Sequence, residues 1–344
     1  MKPEEHILLS NLTTFKIGGA VRYFFRVETV KHILEAVEFS KKEKLPIFVL
    51  GGGSNILASD EGFSGVIIKN EIKGLAFREA GDTVFVTAGA GESWDAFVET
   101  AVNRGLYGLE NLSGIPGTVG AAPVQNIGAY GAEAKDTIVS VEAVDGRNGM
   151  VKVIDGADCG FGYRDSFFKT AEGRNFILTN VTFGLKKSGT LNTGYKDIKN
   201  YFAEASVPAT LHSMRDAVLL VRRGKFPNLA TTGTAGSFFK NPIIPLAQFD
   251  ELKKKYPDLP GFPMPSVNGQ MSMVKIPLAW ILDNILHIKG KMDGHVGLYK
   301  AQPLVVVSDG EGTAVDVMKL VEEVVLKVKE ATGIILAWEV ERLK

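Results

Sequence analysis

Short apolar runs occur along most of the chain and predict a series of β-strands. Runs that alternate apolar with polar residues are typical of half-buried strands, and continuous apolar runs are typical of strands buried on both faces. The predicted strands are "VRYFFRVET" (21–29), "LPIFVL" (45–50), "GVIIKN" (65–70), "TVFVTAGAG" (83–91), "VSVEAVD" (139–145), "FILTNVTFGL" (176–185) and the closing "GIILAWEVERL" (333–343).

Apolar residues at three- and four-residue spacing predict helices between these strands. The predicted helices span residues 30–44, 93–105, 277–284 and 313–332. Ser93 is expected to cap the start of the second helix, and Gly105 and Gly333 are expected to end the second and the last. This mixture of elements indicates an α+β or α/β protein.

Length and composition indicate a soluble protein with several lobes. The chain has 344 residues, which is too long for one compact core. Of these residues, 45% are hydrophobic and 23% charged, as in an ordinary soluble protein. Its 39 lysines and arginines balance 39 aspartates and glutamates, so no overall field attracts nucleic acid or an anionic membrane. The small cluster of Arg222, Arg223 and Lys225 could serve a single phosphate group. We therefore expect neither a nucleic-acid nor a membrane partner.

The few cysteines and histidines indicate which cellular compartment and which metal chemistry to expect. The single cysteine, Cys159, excludes an internal disulfide framework and fits a reducing compartment. The start of the chain has no apolar signal core, and no apolar run approaches the roughly 18–20 residues that cross a bilayer. The five histidines lack metal-ligand spacing. A cytoplasmic protein without a metal is expected.

Two glycine-rich loops predict a ligand that carries phosphate. "GGGSN" (51–55) follows a buried strand and could form a nest of backbone N–H groups, although an ordinary tight turn would have the same letters. Ile56 stands where a dinucleotide fingerprint needs its third glycine, and no G-K-[ST] follows. Residues 105–133 form a longer glycine-rich stretch that would be costly to order without a ligand. Together the loops suggest a large cofactor.

Ser237, in "AGSFFKNP" (235–242), follows two small residues, as a nucleophilic serine often does, but no base that could activate it lies nearby in the sequence. No histidine lies in this segment, and the G-x-S-x-G elbow is absent. From the residues alone, a turn serine that bonds to neighbouring backbone is the favoured interpretation.

A set of motifs spread over nearly the whole chain resembles the UDP-N-acetylenolpyruvoylglucosamine reductase (MurB) family, type I. They are "GGGSN", "SGIPGTVGAAPVQNIGAYG", "FGYRDSFFK", "AGSFFKNP", "AQPLVVV" and "LAWEVE", in the family's order. The resemblance implies an α+β fold: a two-lobed FAD-binding fold of the vanillyl-alcohol oxidase/PCMH type plus a C-terminal α/β substrate-binding domain. The expected boundaries are residues 1–70 and 71–222 for the lobes and 223–344 for the last domain, whose final strand returns to the active site.

The resemblance also implies FAD as cofactor and NADPH as co-substrate. FAD should be bound non-covalently, since residues 51–133 contain neither histidine nor cysteine. The residues implied to contact FAD are Gly51, Gly52, Gly53, Ser54, Asn55, Gly114, Ile115, Pro116, Gly117, Gly120, Ala121, Gln125, Asn126 and Gly128.

The implied reaction reduces the enolpyruvyl group of UDP-N-acetylglucosamine enolpyruvate to give UDP-N-acetylmuramate, with hydride passing from flavin N5 to C3. Ser237 would give a proton to C2, while Arg164 and Glu339 would stabilise the carboxylate end. Arg164 could instead simply pair with Asp165, and Glu339 could lie on the solvent face of an edge strand. Choosing Glu339 over Glu341 depends on aligning the chain at Leu336.

Five further residues are implied to bind this small-molecule substrate. Tyr195 matches a tyrosine on the loop near residues 190–200 of type I members, and the others are Tyr163, Lys225, Asn241 and Gln302. Lys225 could instead be an ordinary surface charge. Phe262 stands where a tyrosine is expected in type I members. A monomer is expected.

Three other functions are compatible with parts of the sequence. The nearest is an FAD-dependent oxidase or dehydrogenase of the same fold acting on another alcohol or sugar. A flavin or sugar-nucleotide binding module without catalysis would not need Ser237, Arg164 and Glu339 together. A serine hydrolase is the least supported, because Ser237 lacks a neighbouring base.

Overall fold

The computed structural model describes residues 1–264 and 272–344. Its strands are β1 Ile7–Leu8, β2 Ala20–Val27, β3 Ile47–Leu50, β4 Ile56–Ala58, β5 Phe63–Asn70, β6 Leu75–Ala80, β7 Thr83–Gly89, β8 Gly128–Ala129, β9 Ala132–Glu133, β10 Ile138–Asp145, β11 Val151–Asp155, β12 Phe176–Lys186, β13 Gly233–Ser237, β14 Ile243–Pro245, β15 Phe262–Pro263, β16 Met273–Lys275, β17 Met292–Asp293, β18 Val296–Leu298, β19 Val305–Ser308 and β20 Glu341–Leu343.

The helices complete an α+β chain. The α-helices are α1 Val30–Glu43, α2 Trp94–Asn103, α3 Lys196–Ala205, α4 Leu211–Lys225, α5 Leu246–Lys255, α6 Leu278–Trp280, which continues as a π-helix over Ile281–Ile285, and α7 Ala314–Thr332. Short 3-10 helices span Leu9–Asn11, Glu110–Leu112, Val119–Ala121, Ala134–Asp136, Gly156–Cys159, Phe167–Lys169 and Gly173–Asn175. Among the described residues, no helix is both long enough and apolar enough to cross a bilayer.

The chain forms two compact units. The first contains residues 1–7, 20–53 and 63–224, and the second contains residues 8–19, 54–62 and 225–344. The chain passes from the first unit to the second within "GGGSN", between Gly53 and Ser54. The predicted boundaries at residues 70 and 222 stay predictions.

The first unit is built on two sheets. One has the order β1-β2-β5-β3, and its β2/β5 and β3/β5 pairs are parallel. The other is antiparallel with the order β11-β10-β12-β7-β6, and β8 and β9 form a separate hairpin. Helix α1 buries Ile33, Ala36 and Val37 in the core of the first sheet. Helix α2 buries Trp94 and Phe97 beside the second sheet.

The second unit has one large apolar core. Its sheets have the orders β13-β19-β18-β17 and β14-β16-β15, and β4 pairs in parallel with β20. The apolar face of α7 enters the core through Val317, Leu320, Val321, Val324 and Val328, as its spacing predicts. Thr313 and Asp316 form a capping box at its start, and Gly333, in the left-handed region, ends it.

Most predicted elements are confirmed within a few residues, and two are corrected. The segment 333–343 is a strand only over Glu341–Leu343. Its side chains alternate, with Ile334 and Leu336 buried and Ile335 77% exposed. The backbone, however, makes only an isolated bridge between Phe239 and Trp338 before it pairs with β4.

The second correction concerns the helix predicted at residues 277–284. It begins as α6 but continues as a π-helix, with Leu286 N–H donating to Ile281 O at 3.0 Å. Periodicity located this helix correctly and could not distinguish the wider turn.

Candidate active site

The first glycine loop begins at the end of β3 and touches the second glycine loop. Gly51 and Gly52 follow Leu50, and the Lys69 ammonium on the neighbouring β5 donates to the Gly51 carbonyl. A Cβ at Gly52 would lie 2.6 Å from the Gly117 Cα, and a Cβ at Gly51 would lie 2.7 Å from Thr118 Oγ1. Only glycine allows the two backbones to approach this closely.

A cavity of about 360 Å³ lies beside this contact within the first unit. It is lined by Glu28, Lys69, Asn70, Glu71, Lys73, Gly91, Ser93, Gly117 and Thr118. Burial lowers the pKa of Lys69 below its ordinary value. The lining combines two ammonium groups with the two carboxylates of Glu28 and Glu71, so its formal charges balance. Its ammonium groups, hydroxyl groups and glycine N–H groups are nevertheless the donors that a phosphate group needs. The sequence analysis missed Lys69, although a lysine inside the apolar run "GVIIKN" was a readable signal.

The second glycine loop packs closely on the elements around it. Gly114 has a φ of +70° and Gly117 a φ of +133°, both outside the range that other residues adopt easily. A Cβ at Gly120 would lie 2.6 Å from the Ala90 Cβ. The other residues predicted to contact FAD from this loop are Ile115, Pro116, Ala121 and Gln125.

Asn126 is fully buried and bonds to protein groups on every side. Its amide nitrogen donates to Glu133 Oε2 at 2.9 Å and to the Gly162 carbonyl at 3.0 Å, while its oxygen accepts from Lys135 N–H at 3.0 Å. Asn126 thus ties the glycine loop to the turn that carries Arg164. Its contact with FAD stays a prediction.

Arg164 lies in a tight turn with an unusual backbone conformation. Gly162 and Asp165 bond to each other across the turn, and Arg164 between them has a φ of +53°. For a residue other than glycine this conformation costs on the order of 1 kcal/mol; it occurs at helix ends such as Lys44 and Ser206 as well as at functional sites. Arg164 Nη2 donates to the Gly128 carbonyl at 2.6 Å, which fixes the guanidinium beside the second glycine loop. Tyr163 precedes it, with its ring centroid 5.8 Å from the guanidinium carbon.

Tyr195 packs on the second glycine loop through Tyr130. It precedes α3, is 42% exposed, and its ring makes an edge-on contact with the Tyr130 ring at 5.2 Å. The buried Asn111 amide donates to the Tyr130 carbonyl at 2.8 Å and to the Asn192 carbonyl at 2.9 Å. Burial raises the pKa of Tyr130 to about 12, so its hydroxyl stays protonated. Asn111 therefore joins the segment before Tyr195, at Asn192, to the second glycine loop, at Tyr130.

In the second unit, an irregularity in β13 sets the direction of Ser237. Thr234 pairs with Val307 and Ser237 with Val305, so the register shifts between them, and Gly236 has a φ of +77°. Such a bulge re-aims the side chain that follows it. Phe238 and Phe239, which come next, are 0% and 1% exposed and anchor the segment in the core.

The backbone of Glu339 is bonded to the residue that follows Ser237. Its N–H donates to the Phe238 carbonyl at 2.9 Å, and the Asn55 amide donates to the Glu339 carbonyl at 3.1 Å. Glu341 N–H donates to the Asn55 carbonyl at 3.0 Å. Hydrogen bonds thus join the Glu339 backbone to Phe238, the residue after Ser237, and to Asn55, which follows Ser54 in the first glycine loop.

The remaining predicted residues lie on separate segments of the second unit. Lys225 ends α4, and Asn241 Oδ1 accepts from Leu278 N–H at 3.0 Å at the start of α6. Gln302 lies in the turn before β19, where its side-chain oxygen accepts from Leu304 N–H at 3.4 Å. Phe262 is 56% exposed on β15, and Pro265, the last residue of its motif "GFPMP", lies outside the described residues.

In residues 1–264 and 272–344, no three histidine, cysteine, aspartate or glutamate side chains are grouped so that they could hold a metal ion.

Comparison with known proteins first defines the class. A family model described as an FAD binding domain matches residues 21–155. A second, described as the C-terminal domain of UDP-N-acetylenolpyruvoylglucosamine reductase, matches residues 228–343. The chain is therefore a flavoprotein oxidoreductase by class, and the predicted α+β fold with an FAD-binding part and a C-terminal substrate domain is confirmed.

Individual relatives define the family. The UDP-N-acetylenolpyruvoylglucosamine reductase of Ralstonia nicotianae is 42% identical over 326 residues, which cover 93% of each chain. That of Chromobacterium violaceum is 42% identical over 325 residues, again 93% of each. The crystal structure of the Thermus caldophilus enzyme aligns over 100% of both chains with a TM-score of 0.69 and 26% identity. The chain belongs to the UDP-N-acetylenolpyruvoylglucosamine reductase family, as the motifs predict.

Proposed function

We propose that this protein reduces UDP-N-acetylglucosamine enolpyruvate to UDP-N-acetylmuramate with NADPH, as a cytoplasmic monomer in peptidoglycan precursor synthesis. The observation that carries the proposal is the 42% identity to a UDP-N-acetylenolpyruvoylglucosamine reductase over 93% of both chains. The matched residues include both the FAD-binding part and the C-terminal part, so the similarity is not confined to cofactor binding.

FAD is held non-covalently in this proposal. The close approach of Gly52 to Gly117 supports a pyrophosphate site at the first glycine loop, and Lys69 and Lys73 offset the two carboxylates of the neighbouring cavity. The other FAD contacts would come from Ser54, Asn55 and the second loop between Gly114 and Gly128. Bound FAD would accept hydride from NADPH and supply it to C3 of the enolpyruvyl group.

Ser237 gives the proton that C2 then needs. A hydroxyl is a weak acid, but it suffices for a strongly basic carbon centre and needs no histidine beside it. The bulge at Gly236 and the buried phenylalanines after Ser237 support this role, because they hold the hydroxyl in a set direction. A serine that merely completed a turn would not need this anchoring.

Arg164 and Glu339 act on the substrate carboxylate. Arginine offers a planar pair of N–H donors to a carboxylate, and it keeps its charge at any physiological pH. The left-handed backbone of Arg164 supports a functional role, because a conformation that costs free energy can be retained where function requires it. Glu339, if protonated, donates a hydrogen bond as negative charge develops at the carboxylate. Tyr163, Tyr195, Lys225, Asn241 and Gln302 bind the rest of the sugar nucleotide.

The proposal is tested by following the two half-reactions separately in Ser237→Ala and Ser237→Cys. With Ala, NADPH should bleach the flavin at the wild-type rate, whereas reoxidation by substrate should slow by about 100-fold or more, the usual contribution of a positioned acid. Ser237→Cys retains a proton donor and should recover part of that rate. Equal slowing of both half-reactions would instead make Ser237 a structural residue.

A further inference from the structure

The peptide groups on both sides of Gly114, the first residue of "GIPG", are held by side chains of two helices. Its N–H donates to Asp95 Oδ1 on α2 at 2.6 Å. Its carbonyl accepts from Arg222 Nε on α4 at 2.9 Å. With both groups bonded and φ at +70°, the direction in which the chain leaves Gly114 is fixed from outside the loop.

Asp95 is itself fixed by a second arginine of α4. Arg215 Nη1 and Nη2 donate to the two oxygens of Asp95 at 2.6 and 3.0 Å, a paired geometry that allows one orientation of the carboxylate. Arg215 is only 8% exposed. Burial alone would raise the pKa of Asp95, but the hydrogen bonds from Arg215 and Gly114 lower it below its ordinary value. The carboxylate is therefore charged at neutral pH.

The packing leaves no room for Gly114 to move toward α4. A Cβ at Gly114 would lie 2.8 Å from Leu219 Cδ2 and 3.1 Å from Arg222 Cδ. The Asp95 bond opposes movement of the amide, and α4 blocks the other side. Ile115, Pro116 and Gly117, which follow, thus inherit a backbone position set by an ion pair that is separate from them in sequence.

We propose that Asp95 and Arg215 are positioning residues for FAD binding, acting through the Gly114 backbone on the loop 114–117. The inference rests on the proposed function, in which this loop lines the flavin. Neither residue needs to touch the cofactor: Asp95 sets the amide and Arg215 sets Asp95. The competing explanation is an ion pair that only joins α2 to α4 and stabilises the fold.

The experiment compares Asp95→Ala, Asp95→Asn and Arg215→Lys with the wild type in FAD titrations of the apoprotein. Flavin fluorescence gives Kd, the visible spectrum reports the surroundings of the bound ring, and the Tm of the apoprotein reports stability separately. Glu99→Gln is the matched control, because Glu99 Oε1 lies 3.6 Å from Arg215 Nη2 but is exposed and does not contact Gly114.

Asp95→Ala should raise the Kd for FAD by about 10- to 100-fold and shift the flavin spectrum, because it removes a hydrogen bond to a charged group. Asp95→Asn retains an acceptor for the Gly114 amide, so its Kd should rise less. Arg215→Lys should lie between Asp95→Asn and the wild type, and Glu99→Gln should match the wild type.

Two results would overturn the inference while leaving the proposed function intact. If Asp95→Ala lowers Tm but binds FAD with the wild-type Kd and spectrum, the pair is structural only. If Asp95→Ala does not fold, wild-type Kd and spectrum in both Asp95→Asn and Arg215→Lys would have the same meaning. A wild-type apoprotein that takes up no FAD would refute the proposed function itself, and the inference with it.

Discussion

Replacing Gly52 with alanine tests the contact between the two glycine loops. The added Cβ would lie 2.6 Å from the Gly117 Cα and 3.2 Å from the Gly117 carbonyl carbon, both backbone atoms, whereas ordinary contacts are 3.4–4 Å. One loop must therefore move by close to an ångström. Unlike Gly53, whose φ is +64°, Gly52 has no left-handed backbone to strain. The expected effect is steric alone.

The size of the effect follows from the cost of one methyl group in a packed site. Such overpacking costs about 1–3 kcal/mol. If the loops part in the variant apoprotein and FAD requires them together, that cost appears in binding, and Kd rises by roughly 5- to 150-fold at 1.4 kcal/mol for each factor of ten. If the loops stay in contact in the variant apoprotein, the cost appears as lower stability instead.

Isothermal titration calorimetry of the apoprotein with FAD measures the change in Kd, and the urea midpoint of the apoprotein measures the change in stability. Gly224→Ala is the control, because a Cβ there meets no atom within 4 Å and Gly224 lies in helix α4. The control should bind FAD normally and be unchanged or slightly more stable. A Gly52→Ala protein with wild-type Kd and wild-type stability would refute the steric reasoning.

Three further predictions concern single side chains. Asn111→Ala should lower the free energy of unfolding by about 1–3 kcal/mol in urea titrations, because two carbonyls near Tyr195 lose their donor; an unchanged midpoint would contradict this. Cys159 should resist iodoacetamide at pH 8 until the protein unfolds, since burial raises its pKa to about 11; rapid labelling of the folded protein would contradict it. Hydrogen bonds from Lys291 and Lys327 lower the pKa of Glu323 to about 2. Its stabilisation is present above the unfolded pKa near 4.3 and is lost as pH falls toward 2. Glu323→Gln should therefore lower stability at pH 7 but not at pH 2, by less than about 1 kcal/mol for so exposed a group.

Elements with a strong local pattern could be predicted from the sequence. Helix α7 has an apolar face, a cap at Thr313 and a glycine after its last residue, and all three agree. The closing segment had the alternation of a strand, and its side chains do alternate between core and solvent. Alternation does not supply a partner strand, however, and the segment pairs regularly only where β4 lies beside it.

Helix α4 shows a different limit. It was not predicted, although it buries Leu211, Met214, Ala217 and Val218 at helical spacing. Three arginines and a glycine within Leu211–Lys225 interrupt the apolar pattern on which a helix prediction depends. Arg222, which bonds to the Gly114 carbonyl, and Arg215, which bonds to Asp95, therefore lie on an element that the sequence pattern did not predict.

The candidate site divides in the same way. Ser237, Arg164 and Glu339 lie in motifs, so a resemblance could point to them. The groups that hold the motifs could not be found this way, because their partners are distant in sequence: Asp95 is 19 residues from Gly114, and Arg215 is 120 residues from Asp95. Lys69 was similarly missed, because its bond to Gly51 depends on the parallel pairing of β3 with β5.

The most direct test of the central claim is an anaerobic one on the purified wild-type protein. NADPH is added until the visible absorbance of the oxidised flavin is lost, and UDP-N-acetylglucosamine enolpyruvate is then added. We predict rapid return of the absorbance, with UDP-N-acetylmuramate formed in equal amount. A flavin that NADPH bleaches but that stays reduced until oxygen is admitted would contradict the proposed substrate.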